Sequence, residues 1–529
     1  MRLHRAGRIE GRIKGDPVQH RLVSLLVAGA VASATLTGVG IATDPGRASA
    51  LTTTQATDAY DAFVATYWDA DAKYFTTYSD RQVHQEHAVG PQGGLYTDYW
   101  WEAQNWEAVM DRYERTHDAA SRQMIDDVFD GWQAAYPDFR QNDWNDDMGW
   151  WARGAVRAYE LTGEQRFLDE SEEVFGFIAQ YEDTTYGGGI WWKNVDVGDG
   201  SKNEKNVATN GTAVQTALRL YAATGDTTYR DTAERLFAWL QTDFDRNGHI
   251  RDHVSGTGQF TDYDWTYNQG QYAGAALQMY LLTNDQQYLT DATRAVDWAV
   301  ANLTVAGTFI NEGSSDTQGF KAILTRDIRD LIDDAGQTQY ESVLTANASQ
   351  AAAHVSLEGI GGPDWTAPTP STSTTPQQSL AASATVAIVQ QATPDGSTAV
   401  EQGDGVYQAE NMDHPGIPTE ATGTGHTGRG YLAGWNTAGT AATAHVNVAS
   451  AGTHSVTLRY AAAAGTATRI VRVGSGTATT VTLPATGSWS TWSTVTLPVQ
   501  LTAGSNALSI AVPASNGNYV NLDSVSVSL

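Results

Sequence analysis

The chain contains no cysteine in its 529 residues. That absence excludes a disulfide framework, thiolate chemistry and a cysteine-ligated zinc site. Positive charge is scarce as well: 32 Lys and Arg stand against 60 Asp and Glu, for a formal net charge of −28. A phosphate backbone would be repelled over most of such a surface, so nucleic acid is excluded as a partner. What is abundant is aromatic, with 17 Trp and 23 Tyr. Flat amphipathic rings at that density fill cores, and they also stack on sugar rings. At roughly 100–250 residues per domain, the length provides two to three folding units.

Residues 1–50 read as an export signal. Arg2, Arg5, Arg8, Arg12, Lys14 and Arg21 form a basic start, an apolar stretch runs from Leu22 to about Ala42, and Ala48-Ser49-Ala50 is a small-residue cleavage site. The alternative is an uncleaved membrane anchor, but Gly29, Ser33, Thr35 and Gly38 dilute the apolar run and favour cleavage. The mature protein is expected to be secreted, monomeric, free of the membrane and still more acidic.

Residues 51–393 read as helical and repetitive. The segments "AVRAYELTGEQRFLDESEEVFGF", "ALRLYAATGDTTYRDTAERLFAW" and "ALQMYLLTNDQQYLTDATRAVDW" align without gaps, anchored on Tyr159, Tyr221 and Tyr280. Each is a helix, a turn and a second helix, recurring at about 60 residues. Gly163, Gly225 and Asn284 stand at the turns, where a left-handed C-cap is needed. One such hairpin cannot bury its inner face alone, and about six fit the segment, enough to close as a ring of inner and outer helices. Weaker copies stand at both ends, including "YDAFVATYWDADAKYF" near the start; Pro376 is expected to open the last helix after a Pro/Ser/Thr loop. A linker at 394–404 leads to residues 405–529, where charge thins out and "HSVTLRYA", "TRIVRVG" and "ALSIAV" alternate with strand period. About 125 residues of short strands between Gly, Asn and Pro turns read as a β-sandwich or jelly roll.

Asp146-Asp147, in "WNDDMGWWARGAVRAYELTG", is the leading chemical candidate. The pair opens a helix on which Trp150, Gly154 and Ala158 follow at three- and four-residue steps, a small-residue face that would leave room above the acids. Adjacent buried carboxylates repel, so one keeps its proton and can act as a general acid beside an ionised nucleophile. Consecutive helical side chains can set carboxyls some 5–6 Å apart, near the ~5–5.5 Å of a retaining glycosidase. The bland alternative is that Asn145 or Asp146 only caps the helix.

Several motifs occur in order: "YWWEAQNWE", "NDDMGWWARGAVRAYELTG", "GGGIWW" with "KNVATN", "WTYNQGQYAG", "DTQGFKAILTRDI" and a late Trp365-Thr-Ala-Pro. Together they make the helical segment resemble glycoside hydrolase family 76, the endo-α-1,6-mannanases. The resemblance implies an (α/α)6 barrel, hydrolysis of α-mannan with retention of configuration, Asp146 as nucleophile and Asp147 as general acid/base, without a catalytic cofactor. It also implies that Trp101, Trp150, Trp151, Asn210, Tyr267, Asn268 and Lys321 line the substrate cleft, with barrel-core packing as the alternative for each of Asn210, Tyr267, Asn268 and Lys321. The rivals are another (α/α)6 activity, such as an unsaturated glucuronyl hydrolase or a wall-remodelling transglycosylase, and a non-catalytic glycan-binding protein.

"DFDRNGHI" imitates the start of a calcium loop, but the twelfth position is Val254 rather than Glu, and an ordinary turn is expected. His249 with His253, and His84 with His87, have metal-like helical spacing and are taken as structural. In the C-terminal segment "YQAENM", "GYLAG", "LRYAAA", "TGSWSTW" and "NYVNLDSVSV" resemble carbohydrate-binding modules of families 6 and 35. That resemblance implies a structural calcium on Glu410 and Asp523, and a sugar site at Tyr431, Trp489 and Asn521; the alternative is that one of Trp489 and Trp492 belongs to the core.

Overall fold

The computed structural model describes residues 53–528 except 117, 196–203, 393–400, 403–405, 413, 415, 421, 428–429, 449–450, 503 and 515–516. The export signal expected at 1–50 and most of the linker expected at 394–404 lie outside the described residues.

Among the described residues, twelve helices of 13 residues or more build the first domain. They are α1 (Thr53–Tyr67), α2 (Tyr99–Thr116), α3 (Ala119–Ala135), α4 (Asn145–Thr162), α5 (Gln165–Ile178), α6 (Val207–Thr224), α7 (Thr227–Trp239), α8 (Thr266–Thr283), α9 (Gln286–Asn302), α10 (Phe320–Ala335), α11 (Glu341–Ala353) and α12 (Ser379–Ala392). The even-numbered helices form an inner ring in which each packs on the next and α12 closes on α2. The odd-numbered helices lie outside, so the domain is an (α/α)6 barrel followed by an all-β domain. Burial separates the two rings: α8 buries every residue from Thr266 to Leu281, whereas its outer partner α9 buries a stripe that includes Ala292, Ala295, Val296 and Ala299.

The turns expected from the repeats are left-handed caps. Gly163, Gly225 and Asn284 have φ of 71°, 74° and 55°, and their N–H groups bond to the carbonyls of Tyr159, Tyr221 and Tyr280. Small inner-helix residues let backbones approach: a Cβ on Gly274 would lie 2.2 Å from Asp327 Oδ1. The interior holds buried ion pairs as well as apolar contacts. Arg157 reaches Glu107 and Asp111 from α4 to α2, Arg326 reaches Asp111 from α10, and Arg153 approaches Asp327 at 3.4 Å. Desolvation offsets most of the attraction in such pairs, so their clearest contribution is to fix the register of the helices.

Two local expectations are corrected. The first copy is not a helical hairpin: α1 stops at Tyr67, and Trp68–Asp69 pairs antiparallel with Tyr74–Phe75. Asp69 causes the stop, since its carboxylate accepts the N–H groups of Asp71 and Ala72 in a tight turn. The last helix starts at Ser379, because Gln377 and Gln378 are held extended by backbone pairing with Ser79 and Tyr78.

Three short strands rise at one end of the barrel: β1 (Lys205–Asn206), β2 (His253–Ser255) and β3 (Gln259–Thr261), paired antiparallel with Asn206 opposite His253. The C-terminal domain is a sandwich of antiparallel strands β4 (Val406–Gln408), β5 (Tyr431–Trp435), β6 (Ala441–Val448), β7 (Gly452–Ala461), β8 (Ala467–Val473), β9 (Thr479–Leu483), β10 (Ser493–Leu501), β11 (Gly504–Ala511) and β12 (Val520–Ser528). In one sheet β12 pairs with β4, β5 and β7, and β7 pairs with β10; in the other the order is β6-β11-β8-β9. Leu432, Val456, Leu458, Leu483, Leu508 and Ile510 from the two sheets share one core.

Candidate active site

All six inner helices run the same way, so their N-termini gather at one end with the long loops between hairpins. The first turn of α4 carries Asp146 and Asp147 there. Neither acid caps the helix: the cap position is Trp144, which makes no side-chain cap bond. The segment Trp191–Asn194 straps across this helix end. Asn145 N–H donates to Trp192 O (2.7 Å), Asn145 Nδ2 to Trp191 O (2.8 Å), and Asn194 Nδ2 to Asn142 O (2.8 Å).

The strap fixes the acids. Trp192 Nε1 donates to Asp146 Oδ2 at 2.8 Å, while Asp146 Oδ1 accepts the Asp147 N–H at 3.0 Å. Asn142 Nδ2 donates to Asp147 Oδ2 at 3.2 Å. Both carboxylates are half-buried, open enough to meet a ligand. They face different surroundings. Burial first, and then the Asp147 charge, pushes the Tyr99 hydroxyl pKa well above its usual value, and the Asp147 charge also adds to the rise at Tyr136. Asp146 instead lies within electrostatic reach of Glu204 and Tyr267. Burial chiefly pushes the Glu204 carboxyl up to about 7, with Asp252 and Asp146 adding to it and His253 opposing.

The small face of α4 does something other than expected. A Cβ on Gly154 would lie 3.0 Å from the Trp106 ring, so the small residue here lets α2 and α4 approach rather than opening the substrate space.

The expected cleft residues are all buried, and most of their polar groups are bonded within the frame around the acids. Trp150 is 4% exposed, with its ring 6.3 Å from Trp100. Trp151 is fully buried, stacked on Trp132 at 4.1 Å, and its Nε1 donates to Tyr99 O. Trp101 is fully buried against His87, and both Trp100 Nε1 and Trp101 Nε1 donate to Asp316 Oδ1, at 3.1 and 2.9 Å. Asn210 is fully buried and clamps Ile190 through both its N–H and its carbonyl, which anchors the Trp191–Asn194 strap. Tyr267 donates its hydroxyl to Asp252 Oδ2 at 2.6 Å, and Asn268 Nδ2 donates to Tyr263 O at 3.1 Å. Lys321, 1% exposed, donates to the carbonyls of Ile310 and Pro363 and lies over the Trp365 ring at 4.4 Å, tying two loops together. Burial lowers its pKa to about 8 and raises that of neighbouring Glu312 to about 7.

Several residues of this end were not singled out from sequence. Trp192, Trp100 and Asp316 lie inside motifs that were recognised, and Glu204 immediately precedes "KNVATN". His253 was set aside on its helical spacing, but it stands on β2 with Nδ1 3.0 Å from Asp252 Oδ1. His249 likewise lies in a strand, against Asp264 and stacked on Trp298. His84 bonds Asp80, and His87 bonds Asp98. "DFDRNGHI" is a turn closed by Gly248 N–H donating to Asp245 Oδ1. Among the described residues no three His, Asp or Glu side chains gather as a metal site.

In the C-terminal domain, Tyr431 is buried; its hydroxyl accepts Gly423 N–H at 2.9 Å and its ring meets Trp492 edge-on at 5.2 Å. Trp489 is 39% exposed and Trp492 half-buried, so neither belongs to the core. Asn521 is buried on β12, opposite Ala461. Glu410 accepts Gly430 N–H at 3.3 Å. Asp523, fully buried, accepts from Thr427 N and Oγ1 at 2.7 and 2.8 Å and pairs with Arg459.

Residues 52–399 match the family model described as glycosyl hydrolase family 76, and residues 408–528 that of carbohydrate binding module family 6. A mannan endo-1,6-alpha-mannosidase of Saccharomyces cerevisiae is 26% identical over 300 residues, covering 51% of this chain and 66% of that protein. An isomaltosyltransferase of Sporosarcina globispora is 32% identical over 121 residues, covering 23% of this chain and 11% of that protein. The chain thus spans less than two thirds of the length of either relative. Among solved structures, the GH76A alpha-1,6-mannanase from Salegentibacter sp. HEL1_6 shares the barrel fold at 24% identity and a TM-score of 0.57, covering 64% of this chain and 98% of that one. An inactive variant of that mannanase, with two consecutive aspartates replaced by asparagine, is known in complex with alpha-1,6-mannotriose.

Proposed function

The chain belongs to glycosyl hydrolase family 76, and from that premise we propose that it is a secreted endo-acting hydrolase of α-1,6-linked mannan, working with retention through Asp146 and Asp147. The single observation that carries this is the pair at the mouth of the barrel, one acid held by an indole N–H and the other by an asparagine amide, both accessible. The mannan-acting relatives support the choice of substrate.

Asp147 gives its proton to the glycosidic oxygen while the Asp146 carboxylate attacks the anomeric carbon, forming a glycosyl ester and releasing the leaving chain. Asp147, now ionised, then takes a proton from water, whose oxygen attacks the same carbon. The ester bond breaks, and the hemiacetal leaves with its original configuration. Trp192 Nε1 keeps Asp146 aimed during both displacements.

The C-terminal domain serves as a sugar-binding anchor, with Tyr431, Trp489 and Asn521 as its site. Holding the enzyme on the polymer raises the local substrate concentration without adding catalytic contacts. Glu410 and Asp523, buried carboxylates with hard oxygen donors, would hold a structural calcium that clasps the domain, with Asp523 exchanging its Arg459 partner for the ion. After removal of its leader the protein acts as a monomer away from the membrane.

Digestion of debranched α-1,6-mannan by the full chain tests the function. Internal cleavage to a ladder of oligosaccharides is expected, and failure to shorten this polymer while cutting another glycan would refute it.

A further inference from the structure

A series of groups leads away from Asp146 beside β1–β3. Trp192 starts it: its indole N–H is bonded to Asp146, and its backbone N–H donates to Glu204 O at 3.0 Å. Glu204 is half-buried and within electrostatic reach of Asp146, Asp252 and His253. His253 Nδ1 bonds Asp252, and that carboxylate is itself held by the Tyr267 hydroxyl on its other oxygen. The series ends at Tyr263, whose ring lies 5.9 Å from that of His253 and 6.1 Å from that of Trp265.

Tyr263 is 51% exposed, yet its backbone is pinned, since its carbonyl accepts from Asn268 Nδ2 and from Trp265 N–H. A rigidly mounted, half-exposed ring does little for the core. A pyranose ring presents a flat apolar face edged with hydroxyls. It is best held by an aromatic face with hydrogen-bonding groups beside it, and Tyr263, His253 and Glu204 supply that combination.

We propose that Tyr263, His253 and Glu204 form an outer sugar subsite, in which the Tyr263 ring stacks on one mannosyl residue and His253 and Glu204 bond its hydroxyls, so that the enzyme selects for longer chains. The inference rests on the mannanase function. A mannosyl residue bound here lies outside the one undergoing cleavage, so its binding energy is available only to substrates long enough to reach it.

The test measures kcat/KM on α-1,6-linked mannooligosaccharides from the trisaccharide to the hexasaccharide, for wild type, Tyr263→Ala, Tyr263→Trp and Glu204→Gln. The ratio of hexasaccharide to trisaccharide is the readout, because the fraction of folded enzyme cancels from it. Tyr263→Ala is expected to lower that ratio about tenfold, Glu204→Gln by a few-fold, and Tyr263→Trp to restore it, since the stacking face returns. A wild type that cuts these sugars with a ratio that Tyr263→Ala leaves unmoved overturns the subsite alone. A wild type that cuts none of them overturns the mannanase function, and the subsite with it.

Discussion

Replacing Trp192 by Phe isolates one atom of the proposed machinery. The substitution keeps a half-buried aromatic ring but deletes the indole N–H that donates to Asp146 Oδ2 at 2.8 Å. The backbone bonds of residue 192 to Asn145 and Glu204 do not depend on the side chain and are retained. A hydrogen bond to a charged group contributes about 1.5–3 kcal/mol. If it acts mainly on the transition state, its loss lowers kcat/KM about 10- to 150-fold at 1.36 kcal/mol per factor of ten. The fall should appear mostly in kcat, because the indole contacts the nucleophile and not the sugar in the proposed arrangement. The acid limb of the pH–rate profile should also move to higher pH, since a carboxylate that loses an N–H donor holds its proton more tightly. Initial rates on linear α-1,6-mannooligosaccharides across pH give all three quantities. A Trp192→Phe enzyme within twofold of wild type, with an unmoved acid limb, would show that Trp192 does not position the nucleophile.

Other expected outcomes concern the frame. Gly154→Val forces side-chain atoms into the Trp106 ring, where even a Cβ lies at 3.0 Å; overpacking of this kind costs about 1–3 kcal/mol and should lower Tm by several degrees in a thermal melt. Asp327 is fully buried, and desolvation, only partly offset by Arg153, pushes its carboxyl up to about 7. Its folded pKa is thus above the unfolded value, so the stability it contributes is complete below about pH 4 and is lost as pH rises through about 7. Asp327→Asn should therefore flatten the decline of Tm between about pH 5 and pH 8, and an unchanged decline would refute the assignment. Chelation of calcium should lower the melting transition of the C-terminal domain, with added calcium restoring it; a transition indifferent to both would assign the neutralisation of Asp523 to Arg459 alone.

The sequence made the barrel legible where local chemistry is repetitive. The Tyr159, Tyr221 and Tyr280 anchors, with their following left-handed caps, specify three hairpins without reference to the rest of the chain. The first hairpin was misread because the Asx turn at Asp69 overrides a helical apolar pattern. Asp146 and Asp147 stood out because two adjacent acids at a helix start are unusual among tryptophans. Their support was illegible for a physical reason: Trp192 reaches the α4 helix end from a strap 46 residues beyond Asp146, and only tertiary structure sets that distance. Asn210 and Lys321 show the converse. Both lie in motifs that suggest sugar contact, and both instead satisfy backbone groups of the loops that shape the mouth. The four-residue spacing of His249 and His253 suggests one helical face, but both residues occupy strands, where that spacing carries no such meaning.

The division of labour between the two acids is tested most directly by catching the covalent intermediate. Asp147→Ala, mixed with an α-mannobiosyl fluoride whose leaving group needs no proton, quenched in acid and digested, should yield a peptide carrying a dimannosyl ester on Asp146 by mass spectrometry. A label on any other residue, Glu204 included, or turnover of the fluoride with no labelled peptide and inverted product, would contradict the assignment.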